Sequence, residues 1–267
     1  MKKIVLLLLL SLSLYALDIV KGEVALVELK QGDTISLDGK ELPILQNPVE
    51  KNKRFALIAI DYKSKLKDEV LKIDGKKIPL HVRAGKYKKE QIKVAKSKVK
   101  PSKKALNKIY AQYKEAKIIY ATTTPRRYWN KPFILPLHSK ITSSYGNARM
   151  FNSVLKSFHS GTDFRAKIGT KIKATNDGVV VIAKKRYYAG GSVVIDHGDG
   201  LYSCYYHLSK ILVKVGDKVK QNEIVGLSGK SGRVNGPHLH FGIRLYSHAI
   251  NPLQFVSTVN KLFKAKM

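Results

Sequence analysis

The chain has 267 residues, 44% of them apolar, which excludes disorder over its whole length and leaves room for two domains with connectors. Fifty Lys and Arg against 19 Asp and Glu give a net charge of +31, an excess that calls for an acidic surrounding or partner: nucleic acid, an anionic membrane or an acidic polymer. The single cysteine, Cys204, excludes an intrachain disulfide and a thiolate-bound zinc finger, so a metal site has to be built from histidines and carboxylates.

Lys2 and Lys3 precede an uncharged run from Ile4 to Ala16. That run is shorter than the roughly 20 residues a spanning helix needs and has the proportions of a secretory signal cleaved after Ala16. The expected mature protein is therefore periplasmic, without a transmembrane span, and export argues against DNA or RNA as the partner of the charge. Residues 17–83 read as a small β-sandwich-like domain. Val24-Ala25-Leu26-Val27 and Phe55-Ala56-Leu57-Ile58-Ala59-Ile60 are strand-length apolar runs, and Asp38-Gly39 and Asp74-Gly75 are hairpin turn signals. His81 stands alone in this part and reads as a surface histidine.

Residues 84–131 read as a basic linker that becomes an amphipathic helix. Residues 83–117 hold 13 Lys and Arg against Glu90 and Glu115, a composition that predicts an exposed strap. Beyond it, Leu106, Ile109, Tyr110, Tyr113, Ala116 and Tyr120 recur at helical spacing behind Ser102 as N-cap, predicting a helix over about 103–120 that docks this stripe on a neighbouring domain. From 132 to 257 dense strand runs broken by Gly190-Gly191, Gly198-Asp199-Gly200 and Gly216-Asp217 predict an antiparallel β domain, with Cys204 a buried thiol inside one strand. Residues 258–267 read as a basic tail.

Seven of the eight histidines fall in the second half. In His238-Leu239-His240, residues i and i+2 of a strand put two imidazoles on one face. In His159-Ser160-Gly161-Thr162-Asp163, a Gly-centred turn brings an imidazole and a carboxylate together. His, Asp and His make three N/O ligands, the number a catalytic zinc site uses while leaving one position open. No HExxH occurs, so a base has to come from spare histidines; His238 and His207, at the end of Tyr205-Tyr206-His207-Leu208, are the candidates. Arg149, just after the Gly146 turn, is a candidate to bind a substrate carboxylate bidentately, with a plain surface arginine the equal alternative; His197 reads as a turn or packing residue, and His138 and His248 carry no assignment.

Over about 133–255 the chain resembles the M23 zinc metallopeptidases, the lysostaphin/LytM-like peptidoglycan hydrolases. The resemblance rests on Ile141-Thr142-Ser143-Ser144-Tyr145-Gly146, Phe158-His159-Ser160-Gly161-Thr162-Asp163-Phe164, Val194-Ile195-Asp196-His197-Gly198 and Tyr206-His207-Leu208-Ser209. It continues with Gly229-Lys230-Ser231-Gly232-Arg233 and Gly236-Pro237-His238-Leu239-His240-Phe241, all in family order. It implies Zn²⁺ held by His159, Asp163 and His240, with His207 and His238 catalytic. It also implies a LytM-like β fold and endopeptidase action on peptidoglycan cross-links, by similarity to Gram-negative members between D-Ala and diaminopimelate. The three-part arrangement looks like that of envelope hydrolases that set cell shape in curved Gram-negative bacteria. The rival expectation is a non-catalytic envelope factor that binds peptidoglycan or activates another hydrolase.

Overall fold

The computed structural model describes residues 16–264. The expected leader lies outside them except for Ala16, as do the last three positions of the expected tail. Among the described residues no helix is long and apolar enough to cross a membrane.

Residues 17–83 form two sheets. One orders its strands Leu17–Val20, Lys76–Arg83, Asp68–Ile73, Ile35–Leu37 and Lys40–Glu41; the other orders Val24–Leu29, Arg54–Ala59 and Ile44–Gln46. Both hairpin turns have positive φ at each central residue, 45° and 80° at Asp38-Gly39 and 49° and 77° at Asp74-Gly75, the geometry that matches strand twist. Ile19, Leu29, Ile35, Leu71 and Leu80 pack between the sheets with Ala56 and Ile58. Phe55 and Leu57, which alternate with these along the same strand, point the other way and join the core of the second half beside Trp129, Phe133 and Phe255. The strand is thus buried on both faces, which is why Phe55-Ala56-Leu57-Ile58 is apolar without alternation.

Two further contacts fix the halves together. The side-chain amide of Gln254, in helix α2 (Pro252–Val259), accepts from the backbone N–H of Val24 at 3.0 Å and donates to its carbonyl at 2.7 Å. Arg127 bridges the Gln46 carbonyl and the Asp199 carboxylate and lies over the Trp129 ring, 4.6 Å from its centroid. A fragment beginning at Pro132 uncovers the surface against which Phe55 and Leu57 are 0% and 1% exposed. Each such side chain is worth about 1.5–3 kcal/mol of burial, so the fragment is expected to aggregate on size-exclusion chromatography; a monomer melting with the full chain would refute this.

The linker is more ordered than its composition suggests. Lys89–Ile92 forms a strand pairing in parallel with Ala148–Phe151, and Lys98 donates to the Tyr187 carbonyl at 3.0 Å. Helix α1 runs Lys103–Ala121, with the Ser102 hydroxyl accepting from the Ala105 N–H. Its stripe docks only in part: Ala116 and Tyr120 are buried against Ile182, Val194, Tyr202 and Cys204, whereas Tyr110 and Tyr113 are 66% and 67% exposed. The predicted stripe was too wide, because tyrosines at helical spacing keep a solvated edge as readily as a buried one. The expected basic tail is folded as far as residue 263: α2 runs to Val259, and Leu262 is buried in the turn that follows.

The second half is built on an eight-stranded sheet ordered Ile141–Ser143, Thr162–Arg165, His238–Leu245, Leu201–Leu208, Gly190–Asp196, Gly178–Arg186 and Lys218–Val219, with His248–Ile250 also pairing on His238–Leu245. All its pairings are antiparallel. The three strands Thr162–Arg165, His238–Leu245 and Leu201–Leu208 are neighbours, and they carry four of the five metal-binding and catalytic candidates from the sequence; His159 enters on the turn before the first of them.

Candidate metal centre

Asp163 and His240 are directly opposed across the antiparallel pair, so their side chains share a face. His159 enters from the Ser160-Gly161 turn. Glycine is required at 161 for space: a Cβ there would lie 2.4 Å from the Phe241 carbonyl oxygen and 2.6 Å from Nε2 of His240. The result is a compact buried cluster. Asp163 Oδ1 is 2.9 Å from His159 Nε2 and 3.0 Å from His240 Nδ1, and the two nitrogens are 2.9 Å apart.

The outward atoms are also held. His159 Nδ1 lies 2.9 Å from the Ser144 carbonyl, to which it donates, and 3.0 Å from the Ser143 hydroxyl, so Nε2 presents its lone pair to the centre. Asp163 Oδ2 accepts from Arg149 at 2.5 Å. Burial alone would raise the Asp163 carboxyl, but the charge and hydrogen bond of His159, with those of His240, hold it well below the usual carboxylate range. Burial pushes His240 down to about 4, against the pull of Asp163. Two imidazoles and a carboxylate make a donor set that fits Zn²⁺. Cys204 lies elsewhere, buried under α1 beside Tyr120.

Two further histidines border the cluster. His238 Nδ1 donates to the Gly236 carbonyl at 2.9 Å, leaving Nε2 3.7 Å from Asp163 Oδ1. His207 Nδ1 donates to the Ser231 carbonyl at 2.8 Å, and its ring centroid is 4.8 Å from that of His238. His207 reaches this face through a β-bulge. Gly191 pairs with Leu208 while Val193 pairs with Tyr205, so Tyr206 and His207 together face Ser192, and His207 takes a φ of 65°. That left-handed backbone costs about 1–3 kcal/mol in a residue with a side chain. It lets two consecutive residues serve the site, where regular alternation would allow one. Burial, then the charges of His238 and His240, hold His207 well below its ordinary range, so it is neutral at pH 7.

Arg149 is placed differently from the sequence expectation. Its side chain is 14% exposed, and Nε binds Glu90 at 3.0 Å while Nη2 binds Asp163 and, at 2.9 Å, Ser143. Its guanidinium is committed to the chain's own carboxylates and orients Asp163, leaving no free fork for a substrate. Glu90, which also accepts from Asn147 at 2.7 Å, was not singled out from the sequence. Its signal was its isolation as the first acid in a lysine-rich run. An open cavity of about 330 Å³, lined by Glu90, Thr142, Arg149, Asp163, Asn235 and His238, leads to the cluster.

The remaining histidines lie outside the site. His81 pairs with Asp68 at 2.7 Å and His248 with Asp61 at 3.1 Å. His197 is fully buried, bonding the Asp177 carbonyl and the Ser203 hydroxyl, and burial lowers it to about 4. Its imidazole titrates near 6.5 once unfolded. The stability it carries is whole above pH 6.5 and is lost as pH falls to about 4, a change of about 3 kcal/mol. Urea unfolding at pH 7 and pH 5 is expected to show a steeper loss in the wild type than in His197→Gln; equal losses would refute it.

A mainly β domain with two N/O donors on adjoining strands, a third on the turn before them and two flanking imidazoles defines a metallopeptidase-like centre. Residues 157–252 match the Peptidase family M23 profile. Over 96 residues, 36% of the chain, it is 48% identical to the peptidoglycan DD-endopeptidase ShyA of Vibrio cholerae and 41% identical to ShyB of the same organism. The match spans 22% of the length of each relative. A Pseudomonas aeruginosa crystal structure described as an M23 peptidase superposes with a TM-score of 0.70 at 25% identity, covering 90% of this chain and 95% of that one. The likeness in fold therefore extends into the N-terminal half.

Proposed function

We propose that the chain is a zinc-dependent endopeptidase of the periplasm that hydrolyses peptide cross-links of peptidoglycan between D-Ala and the diaminopimelate side chain. The observation that carries this reading is the buried His159, Asp163 and His240 cluster with the free Nε2 atoms of His207 and His238 beside it. ShyA and ShyB, named as peptidoglycan DD-endopeptidases, support the substrate class. His159 Nε2, Asp163 Oδ1 and His240 Nδ1 would hold the ion. Zinc bound there supplies a Lewis acid for the scissile carbonyl and lowers the pKa of a water to about 7.

The chain's own residues do the rest. His207, neutral and with Nε2 unprotonated, accepts a proton from the attacking water. His238, its ring centroid 4.8 Å from that of His207, donates to the tetrahedral oxygen or to the departing amine once protonated. Arg149 keeps Asp163 turned toward the centre. The excess of lysine and arginine draws the protein to a polymer rich in carboxylates and phosphates without selecting the bond.

The test is digestion of purified sacculi by the mature protein, with the released muropeptides identified by mass. Conversion of cross-linked dimers to monomeric muropeptides, silenced by a chelator and restored by zinc, is the expected result. Binding to sacculi without release of products would leave the non-catalytic envelope factor instead.

A further inference from the structure

His159, Asp163, His207 and His238 each have an outward atom anchored by a hydrogen bond, to Ser144, Arg149, Ser231 and Gly236 respectively. His240 differs. Its Nδ1 faces Asp163, and among the described residues no hydrogen bond reaches its Nε2. A ligand imidazole usually has its second nitrogen bound, and that bond sets the ring's orientation. Here packing has to do it. The ring lies parallel to that of Tyr206, 3° from coplanar with centroids 5.3 Å apart, and Gly161 closes on its Nε2 edge.

Tyr206 is in turn held from outside the sheet. Its hydroxyl is 2.9 Å from that of Tyr120, in the last turn of α1. Tyr120 is 6% exposed, packs edge-on to Tyr202 at 5.6 Å and lies under the Arg244 guanidinium at 4.5 Å. Tyr206 and Tyr120 together border a cavity of about 410 Å³ under α1, shared with Ile109, Tyr113, Arg186 and Arg244. The Tyr120 hydroxyl is thus the fixed point that stops the Tyr206 ring from swinging into that space.

We propose that Tyr206, clamped by Tyr120 of α1, is a positioning residue that sets the ring plane of His240, so that the connecting helix is a working part of the metal centre. This rests on the reading of His240 as a zinc ligand. Tyr206→Leu removes the flat surface; Tyr206→Phe keeps it and loses only the hydroxyl; Tyr120→Phe leaves every ring in place and removes the clamp.

Zinc affinity is measured by competition with a chromophoric chelator, and ligand geometry by the visible absorption of the cobalt-substituted protein. Tyr206→Leu is expected to weaken zinc by about 10- to 100-fold, the range for losing an outer-shell partner, and to alter the cobalt band. Tyr206→Phe and Tyr120→Phe are expected to weaken it measurably, by about two- to tenfold, the value of one hydrogen bond, with a smaller but detectable change in the cobalt band. Loss of melting temperature alone, with affinity and spectrum unchanged, overturns the proposal. If Tyr206→Leu does not fold, Tyr120→Phe decides: wild-type affinity and spectrum in that variant also overturn it. A wild type that binds no zinc, or a His240→Ala variant that binds it fully, refutes the ligand assignment itself and is distinguishable from either result.

Discussion

His240→Ala, His159→Ala and Asp163→Ala are each expected to lose zinc and hydrolysis together. Each removes one of three protein donors from a cluster whose Asp163 oxygen lies 2.9 and 3.0 Å from the two imidazoles. Among the described residues no other carboxylate or thiolate is gathered there to substitute. Asp163→Ala should have the largest effect, because it also takes from the part-buried Arg149 guanidinium one of its two carboxylate partners among the described residues. Breaking a buried pair by removing one partner costs about 3–5 kcal/mol, so this variant should lose stability as well as metal. Elemental analysis should find about one zinc per wild-type chain and close to none in the variants, at the one-ion stoichiometry of a three-ligand site. Full occupancy and sacculus digestion in His240→Ala would refute the ligand set.

The parts of this site legible in the sequence are those that depend on local periodicity. Residues two apart on a strand share a face, which joins His238 to His240 by spacing alone. The glycine in His159-Ser160-Gly161-Thr162-Asp163 marks a close approach, and the structure supplies its reason in the His240 ring. Helix α1 was legible for the same cause, from its spacing and its serine cap. What was not legible is register between distant segments. The direct opposition of Asp163 and His240 joins positions 77 apart, and the parallel pairing that brings Glu90 to Arg149 joins positions 59 apart. Without that second pairing, Arg149 reads as a free guanidinium awaiting a ligand. The bulge at Tyr206 and His207 was equally hidden, since a left-handed φ at a histidine leaves no mark in the pattern of apolar residues.

The same bulge separates binding from chemistry. Tyr206 occupies the strand position that faces His240, and the extra residue carries His207 round to the flank of the cluster, with its ring centroid 5.9 Å from that of His240. His207 and His238 both have Nδ1 committed to a backbone carbonyl, so neither needs a metal to hold its orientation. His207→Ala and His238→Ala are therefore expected to keep zinc and fold while losing turnover by about 10²- to 10⁴-fold, the usual loss for one positioned base or donor. Measured as zinc per chain beside muropeptide release, a His207→Ala protein that comes out metal-free would move His207 into the ligand set. One that digests sacculi at the wild-type rate would leave His238 as the sole base.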